Sequence, residues 1–174
     1  MIRYLKSRAM QAAFLLLSLS ACKSKNEGFV IGLNQSIHHD DFEYSVTSYQ
    51  RSSNLNAVSD NSASATGNYY LVRFKVENSA LSVDHQWDNS IGYIVDEDGN
   101  RFENSKEDQI TLEKSLQFGW KEQYNTRSGT SDSTILVFKL PLTVTKPYLM
   151  VRGGILMGDV FDKARFRRMK VKLF

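Results

Sequence analysis

The stretch NYYLVRFKVEN, residues 68–78, alternates strictly, with Tyr70, Val72, Phe74 and Val76 on one side and Leu71, Arg73, Lys75 and Glu77 on the other. A period of two is that of a strand with one buried and one wet face, because successive side chains of extended backbone point in opposite directions. FEYSVTSY repeats the pattern, setting Phe42, Tyr44 and Val46 against Glu43, Ser45 and Thr47. STILVFKLP sets Leu136, Phe138 and Leu140 inward and stops at Pro141, which cannot donate to a ladder. Asp98-Gly99 between IGYIV and RFE is a hairpin signal, with glycine where a positive φ is wanted. Strands are expected near 28–33, 42–51, 69–77, 91–95, 101–103, 133–140, 147–152 and 165–173, and one short helix at 109–117. Antiparallel strands joined by many turns predict an all-β sandwich of about seven to eight strands.

A different signal precedes this domain. Arg3, Lys6 and Arg8 lead into AMQAAFLLLSLSA, and Cys22, the chain's single cysteine, follows the small residues Ser20 and Ala21. The order is that of a secretory signal: a charged region, an apolar region and a small-residue cleavage site between Ala21 and Cys22. The run from Ala9 to Ala21 is 13 residues long and contains Gln11, short of the roughly 20 needed to cross a bilayer. Residues 1–21 are therefore expected to be removed.

Leu19, Ser20, Ala21 and Cys22 resemble the lipobox of bacterial lipoproteins. The resemblance implies that the Cys22 thiol carries a diacylglyceryl group and becomes the first residue of a membrane-anchored chain, since two or three buried acyl chains hold firmly where one does not. Residues 22–27 then form a short lipidated tether, and residues 28–174 the sandwich. The five residues of KSKNE allow roughly 20 Å at full extension. Lys23 stands where an aspartate would retain a Gram-negative lipoprotein at the inner membrane. The resemblance thus implies the outer membrane in a Gram-negative host, or the outer face of the cell membrane in a Gram-positive one.

From about Ile31 to Val151 the order of motifs resembles an immunoglobulin-like domain of unknown function found in secreted and lipid-anchored bacterial proteins. The matching stretches are IGLNQSIHHDDFEYSVTSY, YYLVRFKVENSA, YIVDEDGNRFE and RSGTSDSTILVFKLP. The resemblance implies an envelope β-sandwich and brings no activity with it. Two segments are longer than the pattern, Ser52 to Gly67 and Glu107 to Tyr124, and function particular to this chain is expected there. The first is rich in Ser, Asn and Ala, a composition for a surface connection or a loop that orders on a partner.

Charge narrows the classes of partner. The chain holds 22 basic and 19 acidic residues, and loss of Arg3, Lys6 and Arg8 with the signal leaves 19 against 19. A formally neutral mature chain gives no basis for nucleic-acid binding. With only Cys22, the exported domain must stand without disulfides.

Motifs for chemistry are weak. His38 and His39 with Asp40 and Asp41 have zinc-like ligand chemistry, yet neighbours on a strand point apart, the resemblance puts a turn there, and His85 has no spacing that ties it to them. Asp96, Asp98, Asn100 and Glu107 fall at positions one, three, five and twelve of a calcium loop, but Arg101 occupies the position that needs glycine. RGGILMGD, from Arg152 to Asp159, lacks the lysine of a phosphate loop and reads as a turn at Gly153 and Gly154. No Gly-x-Ser-x-Gly or His-Glu-x-x-His occurs. The expectation is a non-enzyme with no cofactor and no metal.

One charge concentration remains, Lys163, Arg165, Arg167, Arg168, Lys170 and Lys172, with Met169, Val171 and Leu173 alternating among them. It predicts a strand with a solvated basic face, which discourages edge pairing and can meet anionic headgroups. Taken together, the sequence predicts a lipid-anchored protein that binds another envelope protein. Its alternative is a small-ligand or ion site in the Glu107–Tyr124 segment, lined by Phe118, Trp120 and Tyr124.

Overall fold

The three stretches of clearest alternation lie side by side. β3 (Phe42–Ser52), β4 (Tyr69–Asn78) and β9 (Ser131–Lys139) pair antiparallel, and β2 (Ser36–His39) completes a sheet in the order β2-β3-β4-β9. The computed structural model describes residues 29–55, 67–116, 121, 123–152 and 165–174. A second sheet runs β1-β11-β10-β6-β7, built from β1 (Val30–Ile31), β6 (Gly92–Val95), β7 (Arg101–Glu103), β10 (Tyr148–Val151) and β11 (Lys170–Lys172). β5 (His85–Trp87) and β8 (Tyr124–Thr126) form a separate ribbon, and α1 (Lys106–Leu116) is the one α-helix among the described residues.

The two sheets pack into a β-sandwich. Tyr70, Val72, Phe74 and Val76 are at most 2% exposed, and they meet Ile94, Leu149 and Val171 from the facing sheet in one apolar core with Leu136 and Phe138. Burial of large apolar side chains, each contributing about 1.5–3 kcal/mol, is the main force holding the layers together. All pairings are antiparallel except β1 with β11, which run parallel at one edge.

All eight expected strands are present, with three more among the described residues and several shifted bounds. The expected strand 28–33 ends at Ile31; the chain turns through Gly32–Gln35 and joins the other sheet as β2. The expected strand 165–173 is shorter, because residues 165–166 form a helical turn that seats Phe166, 3% exposed, against His39 and Tyr44. Arg168 N donates to Arg165 O and Met169 N to Phe166 O, and only then does the chain extend into β11. Met169, Val171 and Leu173 do face the core, as their alternation predicts.

The helix begins at Lys106, three residues ahead of expectation. Ser105 Oγ donates to Asp108 Oδ2 at 2.6 Å, and Glu107 and Asp108 stand at the positive end of the helix dipole. Its buried face carries Gln109, Leu112 and Glu113. Leu112 packs with Leu55, Leu71 and Val137 in a second small core on the outer side of the four-stranded sheet. Leu71 and Val137, placed by alternation on the wet face, are therefore buried.

Candidate binding site

β9 is the outer strand of its sheet, with backbone groups that need partners. The Gln109 side chain supplies them. Its Nε2 donates to Ile135 O at 2.6 Å and its Oε1 accepts from Val137 N at 3.0 Å, as a neighbouring strand would do. Ser105 N donates to Val137 O at 3.0 Å, and Asn104 Nδ2 bridges Gln109 Oε1 and Val137 O. The helix is thereby fixed to the sheet edge by its first turn.

Beside that clamp, α1 and the sheet border a cleft of about 240 Å³. Leu112 and Glu113 line it from α1, Arg73 from β4, Tyr124 from β8, and Asp132 and Ile135 from β9. Glu113 is 7% exposed. Its Oε1 accepts from Gln109 Nε2 at 2.7 Å and from Asn89 Nδ2 at 3.4 Å, while its buried Oε2 has no partner among the described residues. Burial lifts the Glu113 carboxyl above the usual carboxylate range, with the two hydrogen bonds opposing. The phenol of Tyr124 is also raised, chiefly by burial, and its hydroxyl donates to Thr134 Oγ1 at 2.8 Å.

The floor of the cleft is tied together by a chain of contacts. The Tyr124 ring stacks on Trp87 with centroids 4.2 Å apart, Trp87 Nε1 donates to Thr126 Oγ1, and Thr126 Oγ1 donates to Asp132 Oδ2, both at 2.8 Å. At the mouth, Lys121 Nζ stands 3.9 Å from Asp132 Oδ1 and 5.5 Å from the centre of the Tyr124 ring. A cleft of mixed lining, with the charged Arg73, Glu113, Lys121 and Asp132 beside Leu112, Tyr124 and Ile135, can seat a small polar molecule. Of the expected lining, Tyr124 is in place, whereas Phe118 and Trp120 lie outside the described residues.

A second surface is built by Asn78, 2% exposed at the end of β4. Its Nδ2 donates to Val83 O at 2.7 Å and to Thr126 O at 2.9 Å, and its Oδ1 accepts from Ala80 N at 2.9 Å. Ser128 Oγ donates to Ala80 O, and Ser79 N and Oγ both donate to Asp41 O. Asp84 accepts from Asn125 Nδ2. The loop 79–84 is thus held at both ends, and it presents Leu81, 99% exposed, and Val83, 56% exposed.

The remaining sequence candidates disperse. His38 and His39 stand on β2 and only Asp40 and Asp41 form the turn, with Asp40 at φ 51°, so the whole HHDD stretch is not a turn. His38 is exposed beside Glu43, and His39 is buried and stacked on Phe166, so the two imidazoles point to opposite faces. Asp96 carboxylate oxygens accept from Asp98 N, Asn100 N and Asn100 Nδ2, closing the β6–β7 hairpin, with Gly99 at φ 85°. Those bonds hold the Asp96 carboxyl below its usual value, led by the one from the Asn100 side chain. Glu107 belongs to the first turn of α1. No group of three or more His, Cys, Asp or Glu among the described residues could hold a metal.

Arg165 lies in the helical turn, Arg167 and Arg168 in the bend after it, and Lys170 and Lys172 on β11. The signal segment 1–21, Ala21, Cys22, the tether 22–27, residues 56–66 of the first long loop, Gly153, Gly154 and Lys163 lie outside the described residues. The cleft has a signal in the sequence. Gln109 and Glu113 stand four apart with Leu112 between them, which puts two polar groups on the apolar face of a short helix.

No protein-family model matches the chain, and neither does any curated protein. Among solved structures it is similar to the yjhA protein from Bacillus subtilis, with a TM-score of 0.52 at 12% identity over 82% of this chain and 98% of that one. A secreted protein from Mycobacterium tuberculosis scores 0.48 at 9% identity, covering 84% of this chain and 98% of its own. An uncharacterized β-sandwich protein from Clostridium difficile scores 0.48 at 10% identity, covering 87% and 98%. At such identities the likeness concerns the fold alone.

Proposed function

We propose that the chain is a non-catalytic, lipid-anchored protein of the cell envelope whose sandwich is a protein-interaction module. The anchor rests on the lipobox-like Leu19–Cys22 and the short tether after it. The immunoglobulin-like character rests on the order of the strand motifs. The observation that carries the interaction reading is the loop 79–84, where two exposed aliphatic residues, Leu81 and Val83, are held in place by buried Asn78. Ordering a loop before binding removes part of the entropy cost of association, so a pinned apolar display is suited to a protein partner. A photo-crosslinking residue at position 81 in intact cells tests it. One protein captured repeatedly at 81, and absent when the probe stands at exposed Leu142 on another turn, supports the reading. Equal capture at both positions overturns it.

A second reading, a small-ligand site, is favoured by the cleft beside Glu113, whose Oε2 has no partner among the described residues. Calorimetry of the full chain with small amines, alcohols and amides tests it. Saturable heat that disappears in Glu113→Gln supports it, and heat unchanged by that substitution places the ligand elsewhere.

A further inference from the structure

The five-stranded sheet has an outer face that no described element pairs with or covers. Ile94, Leu149 and Val171 point into the core, so the residues between them point out: Tyr93 and Val95 on β6, Tyr148 and Met150 on β10, and Lys170 and Lys172 on β11. Register brings them together, with Tyr148 opposite both Lys172 and Val95, and Met150 opposite Tyr93. Arg101 and Arg152 flank Tyr93, their guanidinium carbons 3.9 and 5.4 Å from the ring centre. Lys170 Nζ stands 5.4 Å from the Tyr148 ring and Lys172 Nζ 4.4 Å from Phe174, whose ring meets Tyr148 edge-on at 5.3 Å. At the adjoining edge Phe29, 48% exposed, has Arg165 and Arg168 at 5.5 and 5.7 Å. Each of the rings of Tyr93, Tyr148, Phe174 and Phe29 thus has at least one cation beside it.

Among the described residues two acidic groups stand at this face. Glu103 pairs with both Arg101 and Arg152, and Glu97, at the tip of the β6–β7 hairpin, pairs with Lys146. We propose that this face docks on an anionic lipid surface, with Arg101, Arg152, Arg165, Arg168, Lys170 and Lys172 over the headgroups and Phe29, Tyr148 and Phe174 at the interface. Basic side chains near an anionic leaflet each gain favourable energy, aromatic rings favour the interfacial zone, and long basic side chains keep their heads among phosphates while their stems lie on apolar groups. Exposed Val30, Phe29 and Phe174 favour a lipid surface over a soluble polyanion, which has no use for aliphatic contact. The proposal stands on the face itself and not on acylation of Cys22. It enlarges the basic C-terminal segment of the sequence into a surface drawn from four strands and both ends of the described domain.

The test uses the full chain as cells process it, reconstituted with vesicles of phosphatidylcholine alone or mixed with phosphatidylglycerol, and reads hydroxyl-radical oxidation of single side chains. Oxidation of Tyr93, Tyr148, Met150 and Phe174 is expected to fall on the anionic vesicles only, with Leu81 unchanged. Protection is expected to vanish near 1 M salt, where screening acts within about 3 Å, and in the triple variant Arg152→Glu, Lys170→Glu, Lys172→Glu with an unaltered far-ultraviolet spectrum. Equal oxidation on both vesicles overturns the proposal. So does protection by soluble dextran sulfate that anionic vesicles fail to reproduce, which would assign the face to a polyanion. Detergent partitioning of the same chain reports acylation separately, so loss of the anchor reading and loss of this one are distinguishable.

Discussion

The hydroxyl of Tyr44 lies 3.0 Å from Nε2 of His85 inside the core, where the imidazole also meets the Phe42 ring at 4.4 Å. Burial pushes the His85 pKa below its ordinary value and the Tyr44 phenol far above its own. In the unfolded chain the imidazole takes a proton near pH 6.5, while in the folded chain it resists. Stability is therefore intact above that pH and is lost as the pH falls toward the depressed folded value. Thermal melts between pH 7.5 and 5 are expected to show this decline in the parent and a shallower one in His85→Gln. Parallel curves would mean that His85 does not carry the acid sensitivity.

Glu113 has the opposite sign. Its folded carboxyl is raised by burial, so its contribution is complete below the ordinary carboxylate range and is lost as the pH rises through the raised folded value. Glu113→Gln removes the ionisation, and its stability relative to the parent is expected to improve from acid to neutral pH. Denaturant titrations at both ends of the range check this, and a difference that shrinks toward neutral pH would contradict it.

Gly67 is required by backbone contact. A Cβ there would stand 2.1 Å from the carbonyl carbon and oxygen of Ser52, at the base of the first long loop, where the Arg51 guanidinium also donates to Gly67 O. Backbone cannot yield as a side-chain tip does. Gly67→Ala is expected to cost about 1–3 kcal/mol by overpacking, read as a lower denaturant midpoint at unchanged slope, whereas Gly99→Ala, which meets nothing within 4 Å but holds φ 85°, carries conformational strain only.

The fold was legible where one face of a strand is wet. Tyr70, Val72, Phe74 and Val76 reveal β4 because their neighbours Arg73, Lys75 and Glu77 need solvent. Leu71 and Val137 break that logic: their outer side is covered by α1, a contact between segments far apart in sequence. β5 and β8, three residues each, are too short to show a period, and Phe166 enters the core from a helical turn within an alternating stretch. The cleft was half legible, its segment and Tyr124 being readable but its floor not. Glu113 acquires its environment from Asn89, and the site from Arg73 and Asp132, through pairing that local sequence does not encode. The basic outer face is similar: Lys170 and Lys172 are evident in the chain, whereas Arg101 and Arg152 join them only through the β6–β7 and β6–β10 registers.

Asn78 and Leu81 separate stability from binding within one loop. Asn78→Ala removes three hydrogen bonds and leaves the Val83 and Thr126 carbonyls and the Ala80 N–H without that partner. Leaving buried groups unsatisfied is expected to cost about 2–4 kcal/mol. Leu81, by contrast, is 99% exposed and contributes nothing to the core, so Leu81→Ser is expected to change stability by no more than about 0.5 kcal/mol. If the loop is a docking element, both substitutions weaken capture of the partner by a crosslinker at position 83, the first because the display loses its shape and the second because it loses its apolar contact. Melting temperature distinguishes them, falling in Asn78→Ala alone. Undiminished capture in Leu81→Ser would show that the exposed leucine is incidental and that the partner, if one is recovered, grips another part of the sandwich.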